Sequence, residues 1–244
     1  MMMVIEMKRE MEKGTGDMNA NKKEGGIEGE FSAFLLKAGV VKFGLFKLKS
    51  GRTSPYFVNL GAIGSGRRLW ALGSYYARAI VEKGLAAETD LLFGPSYKGI
   101  PIAVSASLAL YREFGIEMRF AFNRKEAKDH GEGGMIAGGE LRDGDRVGIL
   151  DDVMTTGKTK EEVLSVIRGS AKAEIKYIMI AVDRLERGET EAMATSEFER
   201  RYGIRVVPII TILDLVSAAK ALGIIGEDAV RSVEAYLREY GGKA

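Results

Sequence analysis

Residues 147–159 read "VGILDDVMTTGKT", and this stretch decides how the rest of the chain is read. It opens as a short aliphatic run, the mark of a buried strand. It then sets two carboxylates side by side, Asp151 and Asp152, and passes at once into Thr155, Thr156 and Gly157. Adjacent acids repel, and at the end of a buried strand they also lose solvation. A sequence that needs only to fold has little reason to keep them. The small residues that follow suit a loop entering a helix, where backbone N–H groups point outward and the helix dipole favours an anion. Thr155, Thr156 and Thr159 add hydroxyl donors, so the segment from Val153 and Met154 through Lys158 reads as a phosphate cradle. A nucleoside-triphosphate P-loop is excluded, because Asp152 stands where that motif needs glycine, five residues before Gly157. Carboxylates beside a phosphate suit a sugar diol, whose hydroxyls they accept, so the stretch reads as a ribose-5-phosphate site. The same residues would also serve as a helix N-cap preceded by a surface acid. On this reading, Asn at both acidic positions spares the fold, since only mutual repulsion is lost.

Outward from this stretch the chain alternates strand and helix signals. "FSAFLLKAG" sets Phe31, Phe34, Leu35 and Ala38 on one helical face. "FGLFKLKSG" and "SPYFVNLG" read as two strands around a polar turn. "RRLWALGSYYARAIVEKG" is an amphipathic helix with Leu69, Leu72, Tyr76, Ala79 and Ile80 inward. "DLLFG", "EMRFAFNR", "RVGILDD", "IKYIMIAVDR" and "IRVVPIIT" are short strands separated by helices, and two short helices close the chain. This order predicts an α/β fold, a central parallel sheet with helices on both faces. Ligands of such sheets bind at the carboxyl ends of the strands. The polar loops "FGPSYKG", "NRKEAKDHGEGG", "DDVMTTGKT" and "VDRLERG" should therefore share one rim.

Composition bounds the function. The 244 residues suffice for a sizeable core, and a net charge of +2 supplies no field that would argue for nucleic acid or membrane. With no cysteine and one histidine there is no disulfide framework and no zinc-finger ligand set. No apolar run reaches the length of a membrane span, and the N-terminus lacks the apolar core of a signal peptide, so a cytoplasmic protein is expected. Residues 1–28 are rich in Met, Lys, Glu and Gly without a sustained period. They read as a poorly ordered extension, or else as a helical cap, ahead of a single domain over 29–244.

In "NRKEAKDHGEGG", Arg124, Lys125, Lys128 and His130 bring potential cations together, and glycines follow. Such a loop can close over an anion and open again. It also reads as a solvated charged hairpin tip, since Glu126, Asp129 and Glu132 nearly balance it.

Taken together, "VGILDDVMTTGKT" resembles the 5-phosphoribosyl-1-pyrophosphate (PRPP) motif of the type I phosphoribosyltransferases. "LKSGRTSPYF", "FGPSYKGIPIA", "FNRKEAKDHGEGG" and "VDRLERG" narrow the resemblance to the orotate phosphoribosyltransferase branch, from about Phe31 to Asp214. The resemblance implies a small N-terminal hood, a mobile hairpin loop, and transfer of ribose 5-phosphate from PRPP to orotate, giving orotidine 5′-phosphate and pyrophosphate in pyrimidine synthesis. It implies Lys128, His130, Asp151 and Asp152 as catalytic. PRPP would be bound by these with Lys49, Tyr97, Lys98, Arg124, Lys125 and residues 153–159, namely Val153, Met154, Thr155, Thr156, Gly157, Lys158 and Thr159. Orotate would be bound by Lys49, Phe57, Val58, Thr155 and Arg184, the guanidinium suiting its carboxylate. Magnesium would be the cofactor, held mainly by PRPP oxygens and water. A homodimer is implied, with the loop 124–134 shared across its interface. The chain departs from the family's usual pattern at Gly148, where a bulkier apolar residue is common and packing alone should feel the change. It departs again at Val58, where an aromatic is common, so contact there would run through the backbone. Two other readings fit parts of the pattern: a phosphoribosyltransferase for another base, and a non-catalytic regulator that senses PRPP. The first needs a different base segment in place of "LKSGRTSPYF" and Arg184; the second should show a basic face.

Overall fold

The computed structural model describes residues 26–48, 51–128, 134–154 and 158–243. In chain order, α1 (Ile27–Lys37) leads into a hairpin of β1 (Val41–Lys47) and β2 (Thr53–Val58). Then come α2 (Gly66–Glu82), β3 (Leu91–Gly94), α3 (Gly99–Phe114), β4 (Arg119–Lys128), β5 (Gly134–Gly138) and β6 (Arg146–Val153). The chain continues through α4 (Lys158–Ser170), β7 (Glu174–Asp183), α5 (Ala194–Tyr202) and β8 (Arg205–Thr211), and closes with α6 (Ile212–Ala221) and α7 (Glu227–Tyr240). Residues 1–25 of the extension expected over 1–28 lie outside the described residues, while Ile27 and Glu28 open helix α1, with Ile27 buried.

The main sheet has the order β5-β4-β3-β6-β7-β8. Neighbours from β4 to β8 are parallel, as expected, but β5 runs antiparallel to β4. That edge strand, "GMIAG", escapes a reading by apolar pattern because its ends are glycine and its middle is half-buried. It is the return arm of the charged hairpin, with Phe122 opposite Ala137 and Lys128 opposite Gly134. The β1–β2 pair forms a separate two-stranded sheet, the hood that the resemblance implied.

Strand alternation divides the interior into two cores. Leu92, Leu150, Tyr177, Met179 and Ala181 point to one side and join α1, α2, α3, α6 and α7. Leu91, Phe93, Val147, Ile149, Ile178 and Ile180 point to the other and join α4 and α5. Each Leu, Ile, Val, Met or Phe among them, once fully buried, contributes about 1.5–3 kcal/mol. A strand clothed on both faces reads as an unbroken apolar run, which is why "YIMIAV" shows no alternation. Phe31, Leu35, Leu72, Tyr76, Ala79 and Ile80 all bury as their helical periods require, with Phe34, Ala38 and Leu69 at the core margin.

Gly148 has a physical explanation. A Cβ there would run into the phenol ring of Tyr177, its partner across β6 and β7. The missing side chain is the space that Tyr177 fills, fully buried, with its hydroxyl 3.2 Å from Thr89 Oγ1. Gly148→Ala is therefore expected to cost about 1–3 kcal/mol of unfolding free energy by overpacking, measured by urea denaturation. Adding Tyr177→Leu should recover part of that loss; strictly additive losses would show that the two residues do not compete for one space.

Candidate active site

The rim forms where β3, β6 and β7 end. Register sets Phe93 beside Ile149 and Val153 beside Val182, so the loops after these strands leave the sheet together. The loop after β3 is drawn tight against α3. Gly99 N–H donates to the Pro95 carbonyl at 2.9 Å, and a Cβ on Gly94 or Gly99 would strike backbone. This close turn delivers Tyr97 and Lys98 to the rim, Tyr97 largely exposed. The Ser96–Tyr97 peptide is cis. Asn123, near the end of the parallel part of β4, braces the loop by accepting the Ser96 N–H at 3.0 Å. Lys125 on the same strand sets its ammonium 4.7 Å from the centre of the Tyr97 ring. Arg124 donates to the Gly134 carbonyl at 3.2 Å, tying the two arms of the hairpin.

Asp151 and Asp152 are both buried, and their carboxylates meet different lysines. Successive residues of a strand point to opposite faces. Asp151 hydrogen-bonds the Lys160 ammonium, itself buried in the first turn of α4. Asp152 turns the other way and meets Lys98 Nζ at 2.5 Å. The expected repulsion is thus relieved by two separate lysines, and the expectation that Asn at both positions spares the fold is corrected. Burial pushes the Asp151 carboxyl above the usual carboxylate range, and the Lys160 ammonium pulls it part of the way back. Tyr76 donates its hydroxyl to the Asp151 carbonyl at 2.7 Å, fixing the strand end from α2. Lys98 is different in kind from Lys160: its side chain is 46% exposed, so it can leave its acid.

The loop after β7 carries Arg184, which is buried above the ring of Tyr56 from β2, 5.1 Å from its centre. Arg184 Nη2 lies 2.6 Å from Glu186 Oε1 without the in-line geometry of a hydrogen bond, and its Nε has no acceptor. Guanidinium donors left in this state are rare in a closed position, and they single out Arg184 as a candidate binding residue. On β2, Phe57 points outward and stacks on Phe46 at 5.6 Å, while Val58 points into the core. A ligand meeting Val58 would therefore meet its backbone.

Lys49, His130, Thr155, Thr156 and Gly157 lie outside the described residues, and the description of Lys128, Lys158 and Thr159 extends only to the backbone. Lys160 and Glu186 were missed by sequence reasoning. Lys160 lies one residue past the small-residue loop and looks like any helix lysine. Glu186 looks like one more charge in a polar turn. Among the described residues no three His, Cys, Asp or Glu side chains converge on a metal position, and no helix is long and apolar enough to cross a membrane.

Comparison with known proteins bears on this rim. Residues 61–208 match the phosphoribosyl transferase domain family. The orotate phosphoribosyltransferase of Thioalkalivibrio sulfidiphilus is 46% identical over 88% of this chain and 98% of its own length. That of Escherichia coli is 45% identical over 87% and 97%. The crystal structure of orotate phosphoribosyltransferase from Francisella tularensis superimposes with a TM-score of 0.75 at 33% identity, covering 87% of this chain and all of that one.

The two acids should respond differently to loss of charge. Asp151→Asn strands a buried ammonium and is expected to cost about 3–5 kcal/mol of stability. Asp152→Asn releases a half-exposed lysine and should cost less than about 1 kcal/mol. Denaturant titration of the two single variants checks this; equal losses would show that Lys160 does not depend on Asp151.

Proposed function

The chain belongs to the orotate phosphoribosyltransferases, and from that premise we propose how its own residues carry out the transfer of ribose 5-phosphate from PRPP to orotate. The observation that carries the reading is the pairing of exposed Lys98 with buried Asp152 on the same rim as Arg184 and its unpaired donors. The leaving pyrophosphate needs cations, the ribose needs hydroxyl acceptors, and orotate needs a partner for its carboxylate.

In the unbound protein Lys98 neutralises Asp152. When PRPP enters, Lys98 turns to the pyrophosphate and frees the Asp152 carboxylate to accept the ribose hydroxyls. Asp151, held by Lys160 and Tyr76, keeps the end of β6 in place so that the 5-phosphate meets the loop 153–159 and the first turn of α4. Tyr97 and Lys125 line the pyrophosphate side, and Lys49 is assigned to PRPP and orotate by the family resemblance alone. Arg184 pairs with the orotate carboxylate, with Phe57, the Val58 backbone and Thr155 around the ring. Positive charge developing on the ribose and negative charge on the leaving group are stabilised by groups already in position.

Magnesium suits this donor set. Asp152 is the acid of the rim not enclosed by a buried lysine, which fits an ion carried chiefly by diphosphate oxygens and water. When bound, it supplies charge neutralisation to the leaving group. The hairpin of β4 and β5 supplies Arg124, Lys128 and His130 over the pyrophosphate, in trans, from the second copy of a homodimer. We place the protein in the cytoplasm, in keeping with its ordinary composition and net charge of +2.

Loss of orotate absorbance on mixing protein, PRPP and magnesium tests the activity. In that assay Arg184→Ala should raise the Michaelis constant for orotate far more than that for PRPP, by about 2–5 kcal/mol of lost pairing. An unchanged orotate constant would remove Arg184 from the base site. The shared loop has its own test. Lys128→Ala and Asp152→Asn chains, each nearly inactive alone, are mixed under conditions of subunit exchange. Loop donation across the interface restores roughly a quarter of wild-type sites, because half the dimers are mixed and each has one intact site. Activity that stays at background after proven exchange would mean each loop serves its own chain.

A further inference from the structure

The loop after β7 holds a backbone form that an untethered loop has little reason to keep. Leu185, directly after Arg184, has φ of 54°, a left-handed conformation that costs a side-chain-bearing residue on the order of 1 kcal/mol or more. Its N–H donates to Asp183 Oδ1 at 2.9 Å, and its carbonyl accepts from the Gly242 N–H at 3.0 Å. The segment 241–243, just past α7, continues this lacing. Arg187 N–H donates to the Tyr240 carbonyl at 3.0 Å, Met193 N–H to the Lys243 carbonyl at 3.0 Å, and Lys243 N–H to the Glu191 carbonyl at 2.8 Å. Residues 241–243 thus lie between the two arms of the loop that bears Arg184. Gly242 permits it, since a Cβ there would strike the Met193 backbone.

The side chains repeat the pattern. Glu186 is nearly enclosed and accepts at one oxygen, Oε1, from the hydroxyls of Tyr56 and Tyr236, both at 3.0 Å. Tyr56 comes from the hood strand β2 and Tyr236 from α7, and their rings meet edge to face at 5.8 Å. The same Oε1 stands 2.6 Å from Arg184 Nη2. A buried carboxylate would be costly here without the arginine, and the arginine without the carboxylate. Two phenols from separate elements hold the carboxylate, and Tyr236 does so from α7 with no direct bond to Arg184, so Glu186 can serve as the point against which the guanidinium is set.

We propose that Glu186, backed by the 241–243 segment and by Tyr56 and Tyr236, is a positioning residue that presents the Arg184 guanidinium to the orotate carboxylate. This rests on the reading of Arg184 as the base-site cation. It makes orotate recognition dependent on the docking of α7 and the segment after it, which lie outside the matched family domain, 61–208.

The experiment compares Michaelis constants for orotate and PRPP in purified Glu186→Ala, Glu186→Gln, Arg184→Ala, the Arg184→Ala/Glu186→Ala double variant, and a chain ending at Tyr240. Displacing a bound group by about an ångström can cost up to about a hundredfold, so Glu186→Ala should raise the orotate constant at least about tenfold and leave the PRPP constant within about twofold. Glu186→Gln should recover most of this, because its amide oxygen still accepts from both phenols. The chain ending at Tyr240 should reproduce the selective rise. The double variant should be no worse than Arg184→Ala alone. Equal rises in both constants would make Glu186 a general stabiliser and overturn the proposal, as would a double variant showing the full product of the single effects. A raised constant in Arg184→Ala beside a silent Glu186→Ala would overturn the positioning role alone. An unchanged constant in Arg184→Ala would remove the base-site reading and this proposal with it. Should Glu186→Ala fail to fold, the shortened chain decides: an unchanged orotate constant there overturns the role.

Discussion

A buried ammonium and a buried carboxylate at the end of a central strand have to find each other, and much of this molecule follows from that requirement. Lys160 and Asp151 are both nearly removed from solvent. Either one alone would carry a desolvation cost of several kcal/mol. Their pairing ties the first turn of α4 to the end of β6. It also fixes the strand's alternation. With Asp151 committed to the α4 side, Asp152 must face the other, where α3 and the loop after β3 bring Lys98. One buried ion pair thus sets the two faces of the strand end on which the rim is built.

The fold was legible in the sequence to the extent that it obeys local periods. The parallel strands, the helices between them and the convergence of their carboxyl ends on one rim follow from apolar runs and the polar loops that end them. Asp152, Lys98 and Arg184 could be named for the same reason: each stands where a buried strand gives way to a loop. The edge strand β5 could not, because glycine and half-burial leave no pattern and its pairing is supplied by β4. Nor could the partners. Lys160 is nine residues from Asp151 and on another element; Tyr236 is fifty residues from Glu186. Contacts of this kind are decided by how layers pack, and nothing in a window of sequence marks them. Gly148 stands between the two cases. Its departure from the family's usual residue was visible, and its reason was not, until Tyr177 was seen to fill the space.

Two ways of keeping charge inside the protein now stand side by side. Asp151 with Lys160 is closed on itself: both members are buried, and neither has a route to exchange its partner. Asp152 with Lys98, and Glu186 with Arg184, are each left unfinished. Lys98 is half in water, and Arg184 keeps donors without acceptors. The difference separates a pair closed on itself from pairs that leave a cation with capacity for a further partner.

That division explains how a site for several negative charges can exist in a chain whose net charge is only +2. The rim does not depend on a broad positive field. It keeps its cations balanced by its own acids; in the mechanism proposed above Lys98 exchanges Asp152 for the ligand, while Arg184 stays with Glu186 and adds the ligand to it. Each exchange replaces one ion pair with another, so binding need not strip water from an already bare charge. A ligand lacking one of the expected groups leaves a lysine or arginine with its original acid, and loses the contact without disrupting the site. Discrimination then rests on how well the internal partners hold their cations at the geometry of the incoming group. In this chain that geometry is set at Arg184 by a carboxylate gripped from the hood and from the last helix together.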